Sequence, residues 1–231
     1  MQVPGQESPP KRYANPLCLA LLTALLLSGC ASQTTKPTQF SGYLADYSQL
    51  QPATSATGAP VLRWISPQFR SERYTAVYVE KPTFYPEPVP SDQVSAQTLE
   101  SVRDYLHQAL IRELQGRMTV VNEPTMDSLV LRSAITGVTV STEGLKAYEV
   151  IPVALVLAAA TTAAGTRDRD SAIFIELEGL DARTSEPVLR VVRKGHGLTL
   201  ENSSTQLTLE DLKPVLDVWA RDARDFQPGP R

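Results

Sequence analysis

The pattern of apolar and polar positions changes character several times along the chain, and each change predicts an element. Residues Pro16–Leu27 (PLCLALLTALLL) form a continuous apolar run, shorter than the roughly 20 residues that cross a hydrocarbon core of about 30 Å. Residues 30–60 are poor in aliphatics and rich in Ser, Thr, Gln and Pro. Such a composition buries too little apolar area to offset ordering entropy, so this stretch reads as a flexible tether. An apolar island interrupts it at Phe40, Tyr43, Leu44, Tyr47 and Leu50. The first four share one face if the island is helical. It is expected to dock on the domain that follows, the alternative being a local turn that merely packs.

From Val61 to Arg231 the pattern is that of a single folded domain. Arg73–Phe84 alternates and predicts a strand, and Pro82, Pro86, Pro88 and Pro90 bar it from continuing into a central ladder. Ser91 or Asp92 can cap a helix over 93–115, with Leu99, Val102, Leu106, Ala109, Leu110 and Leu114 as its buried stripe and Gly116 as its stop. Residues 117–123 and 128–141 predict two more strands, the second with a bulge at Gly137. Residues 171–182 alternate, with Ile173, Ile175 and Leu177 on one face and Phe174, Glu176 and Glu178 on the other. Paired with 187–195 they predict a hairpin with one solvated face.

The last element is an amphipathic helix whose stripe is Leu212, Leu216, Trp219, Ala223 and Phe226. With Asp211 as N-cap, Pro214 falls in the first turn and costs no intrahelical bond; a start at Leu209 would let it kink the helix. The order predicts an α+β domain, with two helices packed on a mostly antiparallel sheet of about five strands and a strand–helix–strand crossover at its start. Residues 149–166 interrupt this order with about fifteen apolar positions, too few to span a membrane. They read as a helical insert on the sheet or, alternatively, as a membrane- or partner-facing segment over 150–164.

Composition narrows the function classes. The chain has 231 residues, 42% hydrophobic and 20% charged, which fits one globular domain with accessory segments. A net charge of −3 without a dense Lys/Arg cluster argues against nucleic-acid binding. Two His and two Cys are too few for a structural zinc site, so no metal or cofactor is expected.

The start of the chain carries the most specific chemistry. Lys11 and Arg12 precede the apolar run, which ends on Leu27, Ser28, Gly29 and Cys30. That quartet resembles the bacterial lipobox. Its small residues suit a narrow peptidase site, and the Cys30 sulfur is the nucleophile that takes a diacylglyceryl group. Residues 1–29 therefore read as a signal peptide, and Cys18 leaves with it, so no disulfide is expected in the mature chain. One acyl chain binds a membrane only marginally, whereas the two or three of a lipoprotein anchor it permanently. Ala31 stands where Asp commonly retains lipoproteins in the inner membrane, so an outer-membrane anchor with a periplasmic domain is expected.

Candidate catalytic groups are sparse. The chain has no G-x-S-x-G elbow, P-loop or H-E-x-x-H motif. His107 falls at the edge of the first helix stripe. His196 lies between Gly195 and Gly197, which read as a hairpin-end turn sooner than as a ligand site. Glu176 and Glu178 read as solubilising charges opposite Arg190 or Lys194 rather than as an acid–base pair. The expectation is a protein that is not an enzyme.

The segments "SGYLADYSQLQP", "RWISPQF", Tyr78-Val79 running into Lys81-Pro82, "LRSAIT", "ELEGLDARTSEPV" and Trp219-Ala220 together resemble a family of proteobacterial lipoproteins catalogued only as a domain of unknown function. Ser185 departs from it, standing where glycine is expected in an Asp-x-x-Thr-Gly-Glu turn. The resemblance implies a cell-envelope location and nothing catalytic. The expected role is a binding or structural module with the membrane and an envelope protein as partners. The alternative is an oligomeric export or channel accessory that uses residues 150–164.

Overall fold

A computed structural model of the chain describes residues 34–142, 155–156 and 168–228. Cys30, with Leu27, Ser28 and Gly29, lies outside the described residues. So does the apolar insert, apart from 155–156.

The strands are β1 (Gln51–Thr54), β2 (Pro60–Ile65), β3 (Ala76–Val79), β4 (Thr83–Phe84), β5 (Pro88–Val89), β6 (Thr119–Val121), β7 (Ser128–Thr142), β8 (Leu155–Val156), β9 (Arg169–Asp181) and β10 (Pro187–His196). The helices are α1 (Ala96–Gln115) and α2 (Leu209–Arg224). The main sheet has eight strands in the order β1-β2-β10-β9-β7-β3-β6, with β4 beside β7; β5 and β8 form a separate parallel pair. β3 runs parallel to β6 and β7, and β4 parallel to β7. The remaining ladders of the main sheet are antiparallel. The α+β, mostly antiparallel architecture is as expected, but the sheet is wider than five strands. The additional strands are β1, β2 and the short β4, split from the predicted Arg73–Phe84 strand. Ordered structure thus begins before Val61. β1 is held by backbone pairing to β2, not by an apolar face of its own, so hydropathy does not reveal it.

α1 buries the predicted stripe without exception. Its cap is Ser95, whose Oγ accepts from Thr98 N at 3.0 Å. Ser91 is not available for that role, because its Oγ already closes a turn on the amides of Gln93 and Val94. α2 starts at Leu209, not after Asp211. Thr208 is the N-cap, and Asp211 reaches back to Thr208 N at 2.8 Å in a capping box. Pro214 consequently lies inside the helix, where it removes the amide that would reach the Glu210 carbonyl.

Both helices cover one face of the sheet. Val77 and Val79 of β3, Leu131, Ile135, Val138 and Val140 of β7, and Ile173 and Ile175 of β9 form the core with the two helix stripes. The register shift at Ile135/Gly137 makes that continuous. Strict alternation would rotate Val138 and Val140 to the far face, and one bulged residue returns them to the helix side.

Candidate functional site

The far face of the sheet is not left to water, contrary to the expected solvated hairpin face. Residues 40–50 cross it in an irregular loop, not a helix. Phe40, Tyr43, Leu44, Tyr47 and Leu50 pack there on Leu62 and Val192, and Phe40 stacks on Tyr47 at 4.5 Å. Glu176, read as a solubilising charge, is 0% exposed beneath this strap. Its carboxylate accepts from Ser41 N at 2.8 Å, Leu44 N at 3.4 Å and the Tyr47 hydroxyl at 2.5 Å. The Tyr47 oxygen in turn accepts from Gly42 N at 2.8 Å. Burial, then the Glu176 hydrogen bond, pushes the Tyr47 hydroxyl up to about 12. Asp46 closes the strap onto Arg190 at 3.3 Å, and that guanidinium lies over Trp64. In the strand register Glu178 faces Arg190 but Glu176 faces Val192. A buried carboxylate whose acceptor sites are met by two amides and a tyrosine hydroxyl of the strap clamps that strap to the sheet.

The helix side holds a cavity of about 410 Å³ between the sheet and both helices. Its origin is the extra width of the sheet. α1 packs over β3 and β6, and α2 over β9 and β10, while β1 and β2 extend the sheet beyond them. Leu106, Leu110, Leu114, Leu131, Ile175 and Leu189 line its depth. Thr54, Ala56, Arg117 and Gln227, all exposed, mark its rim. An enclosed dry void of that volume would cost about 10 kcal/mol at roughly 24 cal/mol per Å³, comparable to a whole domain's stability of about 5–15 kcal/mol. An open rim lets solvent or a ligand relieve that cost. Size and lining fall in the range of small-molecule sites.

Charge inside the cavity is sparse and unevenly paired. Arg193 is 7% exposed, bonds Asp222 at 2.9 Å and lies over Trp219. Burial pulls its pKa below the usual arginine value. Asp222 also accepts from Thr57 N at 2.7 Å, which ties the β1–β2 turn to α2. The Arg193 Nε has no hydrogen-bond partner among the described residues. Arg63, half-buried, makes neither a side-chain hydrogen bond nor an ion pair among them, and its guanidinium lies over the Phe226 ring at 5.5 Å. Both arginines occupy inward phases of their strands, Arg63 between Val61 and Ile65, and Arg193 between Val191 and Gly195. A cation in an otherwise apolar phase was the available signal, and composition alone does not raise it.

The two histidines stand apart from both sites. His107 Nε2 meets the Val79 carbonyl at 3.1 Å. His196 is exposed at the end of β10. Its flanking glycines serve close packing, not a hairpin turn. A Cβ on Gly195 would lie 2.1 Å from Val215 Cγ2, and one on Gly197 2.6 Å from the Asp211 carbonyl. Among the described residues no group of three or more His, Cys, Asp or Glu could hold a metal, and no helix is long and apolar enough to cross a membrane.

The family model described as "Protein of unknown function (DUF3313)" matches residues 39–223. The "Uncharacterized lipoprotein YdcL" of Escherichia coli, strain K12, is 44% identical over 207 residues, covering 90% of this chain and 93% of that one. The O157:H7 counterpart matches equally. Among solved structures, a PelC dodecamer from Paraburkholderia phytofirmans is 11% identical with a TM-score of 0.37, covering 70% of this chain and 96% of that one. A putative neuraminyllactose-binding hemagglutinin homolog from Helicobacter pylori is 10% identical with a TM-score of 0.39, covering 67% and 81%. Likenesses at that level carry no functional argument.

Proposed function

Because this chain belongs to the DUF3313 family of proteins of unknown function, with a 44% identical relative named as a lipoprotein, we propose that it is a membrane-anchored lipoprotein of the bacterial envelope that works by binding, without catalysis. The cavity between sheet and helices carries the binding part of this reading, since a packed domain gains nothing by leaving an apolar space of about 410 Å³ open at its rim. The lipobox order of residues 27–30 supports anchoring through acyl chains on Cys30, and Ala31 supports the outer membrane with the domain in the periplasm. The envelope protein expected as a partner is part of the same proposal.

One comparison tests it. The full chain and a Val191→Phe variant, which fills the cavity from β10, are purified from membranes and extracted for non-covalently bound compounds. The wild-type chain is expected to release an apolar small molecule that the variant lacks, at an unchanged melting temperature. Equal yields from both, or none from either, would remove the cavity as the binding site. For the anchor, Cys30→Ala should abolish palmitate labelling and free the chain from membranes; continued labelling refutes it.

A further inference from the structure

The charge left unpaired in the cavity indicates what kind of molecule fits. Its lining carries Arg63, Arg117 and Arg193 against Asp222 and Asp225. Asp222 is committed to Arg193, and Asp225 to Arg224 outside the cavity. Arg117 donates to the carbonyls of Arg224 and Phe226. Arg63 alone of these has no hydrogen-bond acceptor or counter-ion among the described residues. On the same sheet face, Arg63 is opposite Val191, which makes Arg193 its diagonal neighbour. Diagonal Cβ atoms lie about 7–8 Å apart, within reach of two long side chains. Arg193 thus adds a second positive charge to the same neighbourhood, on a side chain 8% exposed and already paired with Asp222. An unpaired cation in an apolar cavity costs stability, and a bound anion would satisfy Arg63.

Beyond the charged groups and the polar rim the lining is apolar, with Leu106, Leu110, Leu131 and Leu189 in its depth and Phe69, Tyr74, Trp219 and Phe226 among its other residues. A volume of about 410 Å³ has room for roughly a dozen groups the size of a water molecule, at about 30 Å³ each in a liquid, and a methylene is of similar size. One long apolar chain with one anionic end matches that distribution. A neutral lipid would leave Arg63 unmet, and a compact polar anion would leave the aliphatic depth unfilled.

We propose that the cavity binds a single-chain amphiphile with an anionic headgroup, its chain among Leu106, Leu110, Leu131 and Leu189 and its headgroup on Arg63, beside the Arg193–Asp222 pair. This rests on the binding role assigned above to the same cavity. Carboxylate and phosphate headgroups share the required chemistry.

The test is photocrosslinking on the full chain in its native membranes, with dodecanoate carrying a diazirine at the chain end. Label is expected on peptides containing Leu106–Leu114 or Leu129–Leu131. Excess dodecanoate or dodecyl phosphate should displace it at least tenfold, and the better competitor identifies the headgroup. Dodecanol should leave it in place. Arg63→Gln should cut labelling about tenfold at an unchanged melting temperature, and Arg63→Lys should retain most of it. Equal displacement by dodecanol, or full labelling of Arg63→Gln, overturns the anionic headgroup while the cavity remains a binding site. Label found only outside the cavity overturns both readings.

Discussion

The Tyr47 hydroxyl donates to the Glu176 carboxylate across 2.5 Å, joining residues 129 positions apart in the sequence. This bond, with the two backbone amides that share the carboxylate, fastens the strap of residues 40–50 to the centre of the sheet. Glu176→Ala leaves those donors buried and unmet, and should destabilise the domain by about 3 kcal/mol in urea unfolding. Tyr47→Phe removes one donor and keeps the ring stack, so about 1–2 kcal/mol is expected. In both variants the Ser41 and Leu44 amides should exchange faster with solvent than the core strands. Uniform exchange across the sheet would show that the strap is not fastened there.

Alkali should loosen the same site. The Tyr47 hydroxyl is pushed up to about 12, first by burial and then by Glu176, and Tyr74 likewise by burial and by the charge of Asp181. The unfolded chain loses these protons near pH 10 while the folded chain holds them to about 12, so folding is favoured below pH 10 and loses that contribution between pH 10 and 12. Once solvent screening is allowed for, about 1 kcal/mol per tyrosine is at stake. A Tyr47→Phe/Tyr74→Phe double variant should show a shallower loss over that window in pH-dependent unfolding. An unchanged slope would assign the loss to other groups.

Gly195 sets the distance between β10 and α2. A methyl group there meets Val215 Cγ2 at 2.1 Å and Trp219 Cζ2 at 2.9 Å. Gly195→Ala should therefore cost about 1–3 kcal/mol through overpacking. Adding Val215→Ala should recover part of that loss. A double-mutant cycle by thermal unfolding checks it, and strict additivity would contradict the contact.

Ser185 is the described non-glycine residue with positive φ, at 59°. It closes the β9–β10 turn through its amide to the Asp181 carbonyl at 2.8 Å. The left-handed conformation burdens a residue with a Cβ by about 1–2 kcal/mol, and glycine's greater freedom in the unfolded chain offsets part of the relief. Ser185→Gly should raise stability by about 0.5 kcal/mol, measurable as a higher melting temperature, whereas Ser185→Ala should not.

Where a run of local pattern carries the information, sequence and structure agree. The stripe of α1 is continuous over its full length, and the Gly137 bulge sits inside a long alternating strand. Departures occur where a local choice had rivals. Ser91, Asp92 and Ser95 are all competent caps, and the turn at Ser91 removes it from the competition. Asp211 fits both the N-cap and the N3 role, and Thr208 decides between them.

The sequence alone establishes the helices, the long central strands, the α+β class, the family and the presence of an apolar island at residues 40–50. Each is written in residue type and spacing along a short stretch. Only the tertiary structure decided that β1 joins the sheet, that Glu176 is a buried clamp and not a surface charge, and that Arg63 and Arg193 face an apolar cavity. The physical reason is that alternation assigns a residue to a face but does not say what covers that face. Burial of a charge depends on segments far away in the chain, and among the described residues the cavity lies where a sheet of eight strands extends beyond its two helices.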